Sequence, residues 1–207
     1  MVMVKEIFYS IQGEGAKRGQ PAVFVRVAGC NLWSGREEQR KDAICQFCDT
    51  DFLGGTRMMP VEIVREVIKV WPSGCGRPSV VFTGGEPLLQ VDAFALESFQ
   101  IRGFHTAVET NGTVRVPDNI DWLTVSPKAG TELHETALAG DELKVVWPQE
   151  LDLRELRKLQ FSHFWLQPKW VPCAADVYEH ERQCIEKCLA DPRWGLSLQE
   201  QRALGIK

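Results

Sequence analysis

The sequence contains no apolar run near the roughly 20 almost uninterrupted residues that a bilayer crossing requires. Its longest such stretch towards the start, Ala22 to Cys30, is short and carries Arg26 in its middle. A secretory leader pattern is missing as well, because Lys5 and Glu6 stand in MVMVKEIFYS where the apolar run of a signal would lie; a cytoplasmic protein away from membranes is expected. No basic run is present to follow a phosphate backbone. With 24 Lys plus Arg against 28 Asp plus Glu, a net charge of −4, nucleic acid is set aside as a partner. Repeats, low-complexity tracts and long linkers are absent. What remains, 207 residues with 44% hydrophobic and 25% charged side chains, has the make-up of one globular domain with a real core, spanning residues 1–207.

Short apolar strands alternate with helical patterns along the chain. Val23 to Val27 has the content of a buried strand ending in Ala28-Gly29-Cys30, and Ser79 to Thr83 that of another running into Gly84-Gly85-Glu86-Pro87. Further strands are predicted at Thr106 to Glu109, Trp122 to Val125, Glu142 to Val146 and Phe164 to Leu166, with polar residues after each. Pro60 suits the start of a helix whose stripe is Val61, Val64, Val67, Ile68 and Trp71. Weaker helical patterns cover Asp92 to Ile101, Leu151 to Leu159 and Val177 to Leu189. Such repetition predicts an α/β fold with a parallel sheet, in which ligands gather at the carboxyl ends of the strands. Residues 31–44 are polar and highly charged and look like an insertion.

Seven cysteines in a chain expected to meet a reducing cytosol argue for metal or redox chemistry over a disulfide framework. Cys30, Cys45 and Cys48 form C-x14-C-x2-C. On spacing alone two sites remain open. Three thiolates can hold three irons of a four-iron cluster and leave one iron free. Alternatively, a four-cysteine zinc site takes its last ligand from Cys75, Cys173, Cys184 or Cys188, none of which forms a second C-x2-C pair. Cys184 and Cys188 share a helical stripe with Val177, Ile185 and Leu189, which favours core packing, since free cysteine behaves as a small hydrophobe. Arg26 interrupts an otherwise apolar strand, where a lone charge is costly to bury. It needs an anionic partner, either a bound carboxylate gripped bidentately or an internal salt bridge.

The cysteine trio, closing in Cys45-Gln46-Phe47-Cys48 and accompanied by the turn Gly84-Gly85-Glu86-Pro87, resembles the radical S-adenosylmethionine superfamily, whose usual loop is C-x3-C-x-aromatic-C. The long first spacing sets most of that superfamily aside. Within it, the sequence is similar to the 7-carboxy-7-deazaguanine synthase family. Nine collinear motifs carry the similarity: Phe8 to Gly15, Ala28 to Asn31, Cys48-Asp49-Thr50, Phe82 to Pro87, Glu109 to Gly112, Val125 to Lys128, Glu142 to Val146, Gln167-Pro168 and Leu196 to Gln199. The resemblance implies a truncated partial parallel β/α barrel with a 4Fe-4S cluster, S-adenosylmethionine and magnesium as cofactors. It also implies a flavodoxin- or ferredoxin-type reductant, and the open side of such a barrel suits a homodimer. The implied reaction contracts the ring of 6-carboxy-5,6,7,8-tetrahydropterin to 7-carboxy-7-deazaguanine with loss of ammonia, on the route to queuosine.

By the same resemblance Cys30, Cys45 and Cys48 hold the cluster. Phe47, Cys48, Asp49, Gly84, Gly85, Glu86, Ser126, Pro127, Lys128 and Gln167 meet S-adenosylmethionine, and Thr50 ligates magnesium, with Asp49 or Asp51 reaching it through water. Ile11, Gln12, Gly13, Glu14, Arg26, Thr83, Glu109 and Lys207 meet the pterin, with Arg26 assigned to its carboxylate. From the residues alone, Lys128 is equally a solvated surface lysine, Gln12-Gly13-Glu14-Gly15 a glycine turn, and Thr50 a turn residue without metal. After Leu196 to Gln199 the family usually continues Thr-His-Lys, whereas Glu200, Gln201 and Arg202 stand here. The histidine contact is therefore absent or replaced by Gln201, and a contact from the terminal carboxylate would involve Lys207.

Overall fold

A computed structural model of the chain describes residues 1–74 and 76–207; Cys75, one candidate zinc ligand, lies outside them. The first strand, β1 (Val2–Ile11), pairs antiparallel with β2 (Pro21–Val27) on one side and with β3 (Thr56–Met58) on the other. Neither β1 nor β3 is marked by an apolar pattern: Lys5 and Glu6 break the first, and the second is only three residues long. From β2 onward the strands are parallel, through β4 (Ser79–Gly84), β5 (His105–Thr110), β6 (Trp122–Val125), β7 (Ala139–Trp147), β8 (Gln160–Pro168) and β9 (Gly195–Leu196). The nine-stranded order is β3-β1-β2-β4-β5-β6-β7-β8-β9. This is the expected partial parallel barrel.

Side-chain alternation decides which residues face the helices and which face inward. Val23, Val25 and Val27 of β2 are fully buried in the main core, as are Val80 and Phe82 of β4, Val108 of β5 and Leu143 and Val145 of β7. Their neighbours in sequence, Phe24, Arg26, Thr83, Glu109, Thr124 and Lys144, fall on the opposite, concave face. The register keeps these polar residues level: Arg26 pairs with Thr83, and Glu109 with Thr124. A layer of charge thus lies across the inside of the sheet.

The outer face is covered by α1 (Pro60–Val70), α2 (Ala93–Gln100) and α4 (Ala174–Ala190), with single-turn α3 (Leu153–Leu156) between β7 and β8. α1 buries Ile63, Val64 and Val67, whereas Val61 and Ile68 are exposed. The buried stripe is therefore centred one position from the expected one, because Ile63 takes the place of Val61 against the strands. Burial of each such side chain stabilises by about 1.5–3 kcal/mol. The predicted helix over residues 151–159 contracts to α3, and Leu151, Leu153, Leu156 and Leu159 pack on the core from a loop and that turn. In α4, Cys184 is fully buried and Cys188 packs beside it, as expected of core cysteines, but Ile185 and Leu189 face solvent.

β3 and β9 are the two ends of the sheet, which does not close on itself. The segment after β9, with α5 (Glu200–Leu204), crosses back to β1 and the loop behind it. The Gly15 N–H donates to Ser197 Oγ at 3.0 Å and the Glu200 N–H to the Gly13 carbonyl at 3.2 Å, while Lys207 Nζ reaches Glu6 Oε2 at 2.7 Å.

Candidate active site

Cys30, Cys45 and Cys48 sit on the loop that leaves the carboxyl end of β2 and line one cavity of about 280 Å³. Burial pushes all three thiols up, that of Cys48 to about 11. Main-chain N–H groups of Leu32, Phe47 and Thr50 point at the sulfurs of Cys30, Cys45 and Cys48 respectively, the first at 3.4 Å. Such donors stabilise thiolate ligands and tune an iron–sulfur centre. Among the described residues, no fourth cysteine lines the cavity: Cys173 is exposed, and Cys184 and Cys188 lie in and against the core. Nor do any three His, Cys, Asp or Glu among those residues converge on a point that would hold a single ion. Among the described residues, the donor set suits a body that offers a separate iron to each thiolate.

The glycine turn after β4 presses on the cysteine loop. The N–H of Gly85 donates to Val27 O at 3.0 Å and that of Glu86 to Gly29 O at 2.8 Å. A Cβ at Gly85 would stand 1.9 Å from Gly29 O, so nothing larger than glycine fits. Glu86 itself is fully buried and accepts from Thr110 Oγ1 at 2.7 Å, the Asn111 N–H at 2.7 Å and the Leu88 N–H at 3.0 Å. Its carboxylate is taken up in binding the turn to the end of β5. Gly84 and Gly85 line the cavity, while Glu86 and the buried Pro127 stand behind its lining. Burial raises the Glu86 pKa despite these donors.

Opposite the cysteines lies the polar layer. Gln12 Nε2 donates to Glu109 Oε1 at 2.9 Å and Thr83 Oγ1 to Glu109 Oε2 at 3.3 Å. Lys144 Nζ lies 4.0 Å from Glu109 and donates to Glu14, which also accepts from Gln201 Nε2 at 2.9 Å and Gln199 Nε2 at 3.2 Å. Burial alone would push Glu14 up, but the Lys144 ammonium holds its carboxyl at about 2. Burial likewise opposes the charge on Lys144, and Glu109 and Glu14 together hold it above the usual lysine range. On the far side of this layer, towards the strand starts, is a second cavity of about 270 Å³, walled by the same Glu109 and Lys144 and by Trp122, whose Nε1 donates to Glu142 at 2.8 Å.

Gly13 lets α5 approach. A Cβ there would lie 1.9 Å from Gln201 Oε1 and 2.8 Å from the Gln201 main-chain nitrogen, so Gln201 occupies the ground where a histidine contact was expected to be missing or replaced. Ile11 and Lys207 complete that wall, and Lys207 O accepts from Ser10 Oγ at 2.6 Å. Arg26 faces the cavity with its internal salt bridge already made, Nε to Glu6 Oε1 at 2.9 Å. Among the described residues, its terminal guanidinium nitrogens have no hydrogen-bond partner.

Ser126, Lys128, Gln167 and Phe47 form the remaining side. Lys128 is no solvated surface lysine: Nζ donates to Ser126 O at 2.6 Å and Ser126 Oγ at 2.7 Å, and burial pushes its pKa down. Gln167 is buried and accepts from Ser197 Oγ at 3.2 Å. Thr50 and Asp49 line the mouth, where Asp49 pairs with Arg202. Asp51, the alternative water-mediated magnesium partner, points elsewhere and is bound by Lys5 at 2.8 Å. Lys144 and Asn111 also line the cavity, beyond the residues expected from sequence. Lys144 carried the same signal as Arg26, a charge inside an apolar strand; Asn111, which donates to Asn31 at 3.0 Å, carried none beyond its motif.

Comparison with known proteins adds three findings. The chain matches the Radical SAM superfamily over residues 42–145. It is 48% identical to a 7-carboxy-7-deazaguanine synthase of Bradyrhizobium diazoefficiens, covering 99% of this chain and 98% of that one, and 45% identical to one of Nitratidesulfovibrio vulgaris, covering 98% of each. Its structure resembles the crystal structure of QueE from Escherichia coli with a TM-score of 0.71 and 27% identity, over 95% of this chain and 93% of that one.

Proposed function

The chain belongs to the 7-carboxy-7-deazaguanine synthase family of radical SAM enzymes, and from that premise we propose that its 280 Å³ cavity contracts 6-carboxy-5,6,7,8-tetrahydropterin to 7-carboxy-7-deazaguanine, with loss of ammonia and with magnesium assisting. One observation supports this reading above others: the three cysteines and the polar layer face each other across a single cavity. When bound, the 4Fe-4S cluster and S-adenosylmethionine supply a carbon-centred radical by one-electron cleavage of the sulfonium.

The chain's residues bind, orient and shield. Cys30, Cys45 and Cys48 hold the cluster, and the open edge of the Gly84-Gly85 turn receives the methionine part of S-adenosylmethionine. Phe47, Ser126, Lys128 and Gln167 meet its nucleoside part. Glu109 and Glu14, both beside Lys144, accept hydrogen bonds from the N–H edge of the pterin, with Gln12 beside them. The free guanidinium nitrogens of Arg26, held in place by Glu6, take the pterin carboxylate, and Lys207 and Gln201 lie near the same end. Thr50 offers a hydroxyl to magnesium, which keeps most of its waters and needs few protein oxygens.

The same reading treats residues 1–207 as one radical SAM domain with residues 31–44 inserted in its cluster loop. It further assigns a homodimer, a cytoplasmic location and a flavodoxin or ferredoxin as reductant; no helix among the described residues is long and apolar enough to cross a membrane. Anaerobic reconstitution followed by reduction and addition of S-adenosylmethionine, magnesium and the pterin tests the reaction. Formation of 7-carboxy-7-deazaguanine and ammonia is expected. A fully loaded cluster that cleaves S-adenosylmethionine but leaves the pterin unchanged would refute the substrate.

A further inference from the structure

Residues 31–44 form a closed excursion from the cysteine loop. Leu32 O accepts from the N–H groups of Ile44 at 3.1 Å and Cys45 at 3.3 Å, which ties its neck. Inside it Trp33 is buried, edge-on to Phe52 at 5.5 Å between ring centroids, and its Nε1 donates to Arg36 O at 3.2 Å. The Arg40 guanidinium lies over that indole, its Cζ 4.0 Å from the ring centroid. From there Nη1 donates to Gln46 O at 2.9 Å and Cys48 O at 3.0 Å, while Nε pairs with Glu37 at 2.7 Å. Arg40 thus spans the Cys45–Cys48 turn, binding the main chain on both sides of Phe47.

We propose that Arg40 is a positioning residue for the iron–sulfur cluster: it holds the C-x2-C turn in its ligating shape and keeps a fixed positive charge beside the metal. The inference rests on the cluster assignment made under the proposed function. It gives the insertion a purpose, because a short loop cannot carry an arginine back over its own turn from an aromatic platform. Without Arg40 the Gln46 and Cys48 carbonyls lose this donor, and the turn is held only by the metal and by the Cys45 N–H on Leu32 O and Gln46 Nε2 on Lys41 O. Only arginine suits the geometry, since a planar fork can stack on Trp33 while donating to the turn and to Glu37; a lysine ammonium has the charge without the plane. A cation next to the cluster favours its reduced, more negative state and so raises its potential.

Arg40→Ala, Arg40→Lys and Glu37→Gln, the last removing only the outer ion pair, are to be compared with the parental protein after anaerobic reconstitution. The readouts are the rate of iron loss to excess chelator, the midpoint potential and the thermal midpoint of the metal-free chain. Arg40→Ala is expected to lose iron about tenfold faster and to show a lower potential. Arg40→Lys should lose iron at an intermediate rate with its potential retained, and Glu37→Gln should match the parent in iron loss with a potential no lower than the parent's. Parental iron retention in Arg40→Ala overturns the proposal, as does an unchanged potential. Should Arg40→Ala fail to fold, Arg40→Lys alone decides: retention equal to the parent refutes the clamp, and faster loss with retained potential supports it. Failure of the parental chain to assemble any cluster would instead strike the functional assignment, leaving the two failures distinguishable.

Discussion

Replacing Lys144 by methionine keeps most of the buried aliphatic stem and removes the ammonium that Glu14 and Glu109 surround. Two routes give the cost. Breaking a buried pair from one side costs about 3–5 kcal/mol, because a charge is left without compensation. Independently, a carboxyl held at about 2 against its ordinary 4.5 corresponds to about 3 kcal/mol. A chain of this size should then unfold about 6–12 °C lower. Because the folded carboxyl of Glu14 lies below its unfolded value, its stabilisation is complete above about pH 4.5 and fades as pH falls through about 2. Urea unfolding of the metal-free parent and Lys144→Met at a series of pH values tests this. The deficit should be largest near neutrality and narrow as the pH falls, and Glu14→Gln combined with Lys144→Met should cost less than the two changes added. A deficit below about 1 kcal/mol, or one indifferent to acid, would refute the assignment of Lys144 as the counter-ion of this layer.

Other outcomes follow from the same contacts. Gly85→Ala sets a methyl 1.9 Å from Gly29 O, so the glycine turn and cysteine loop must separate; a loss of about 1–3 kcal/mol in thermal unfolding and weakened S-adenosylmethionine binding by calorimetry are expected. Glu86→Gln exchanges one accepting oxygen for an amide NH₂ facing the Asn111 or Leu88 N–H, and urea titration should show about 2–3 kcal/mol less stability. Arg26→Ala should depress pterin turnover while slow abortive cleavage of S-adenosylmethionine continues; loss of both, measured by chromatography of 5′-deoxyadenosine and product, would mean that its salt bridge with Glu6 is its whole role.

Much of the architecture could be read from alternation and motif order. The parallel strands are apolar on their helix-facing side, and each ends where a polar motif begins. β1 escaped notice because Lys5 and Glu6 sit in it with half-exposed neighbours, the mark of a strand beside a cavity mouth and not of one inside a core. The part Glu86 plays in fastening its turn was hidden for a related reason. A carboxylate in a glycine-rich motif looks the same in sequence whether it faces a ligand or fastens a turn, and only its three chain donors distinguish the two. Arg26 had both of its alternatives written into one side chain: Glu6, which meets it across an antiparallel pair, could not be aligned with it until β1 was known. Lys144 was the nearer miss, since the rule that singled out Arg26 applied to it unchanged.

The return of the tail from β9 to β1 gives this barrel a doorway where a closed one would have wall. Parting two paired strands breaks a whole ladder, but here separate contacts, each worth about 1 kcal/mol, join the final stretch to Glu6, Ser10, Gly13, Glu14, Gly15 and Asp49. The wall of the cavity at Gln199, Gln201 and Lys207 can therefore shift while the strand pairing stays untouched. Chains that share every interior side chain can accordingly differ in how quickly they fill and empty, through their tails alone.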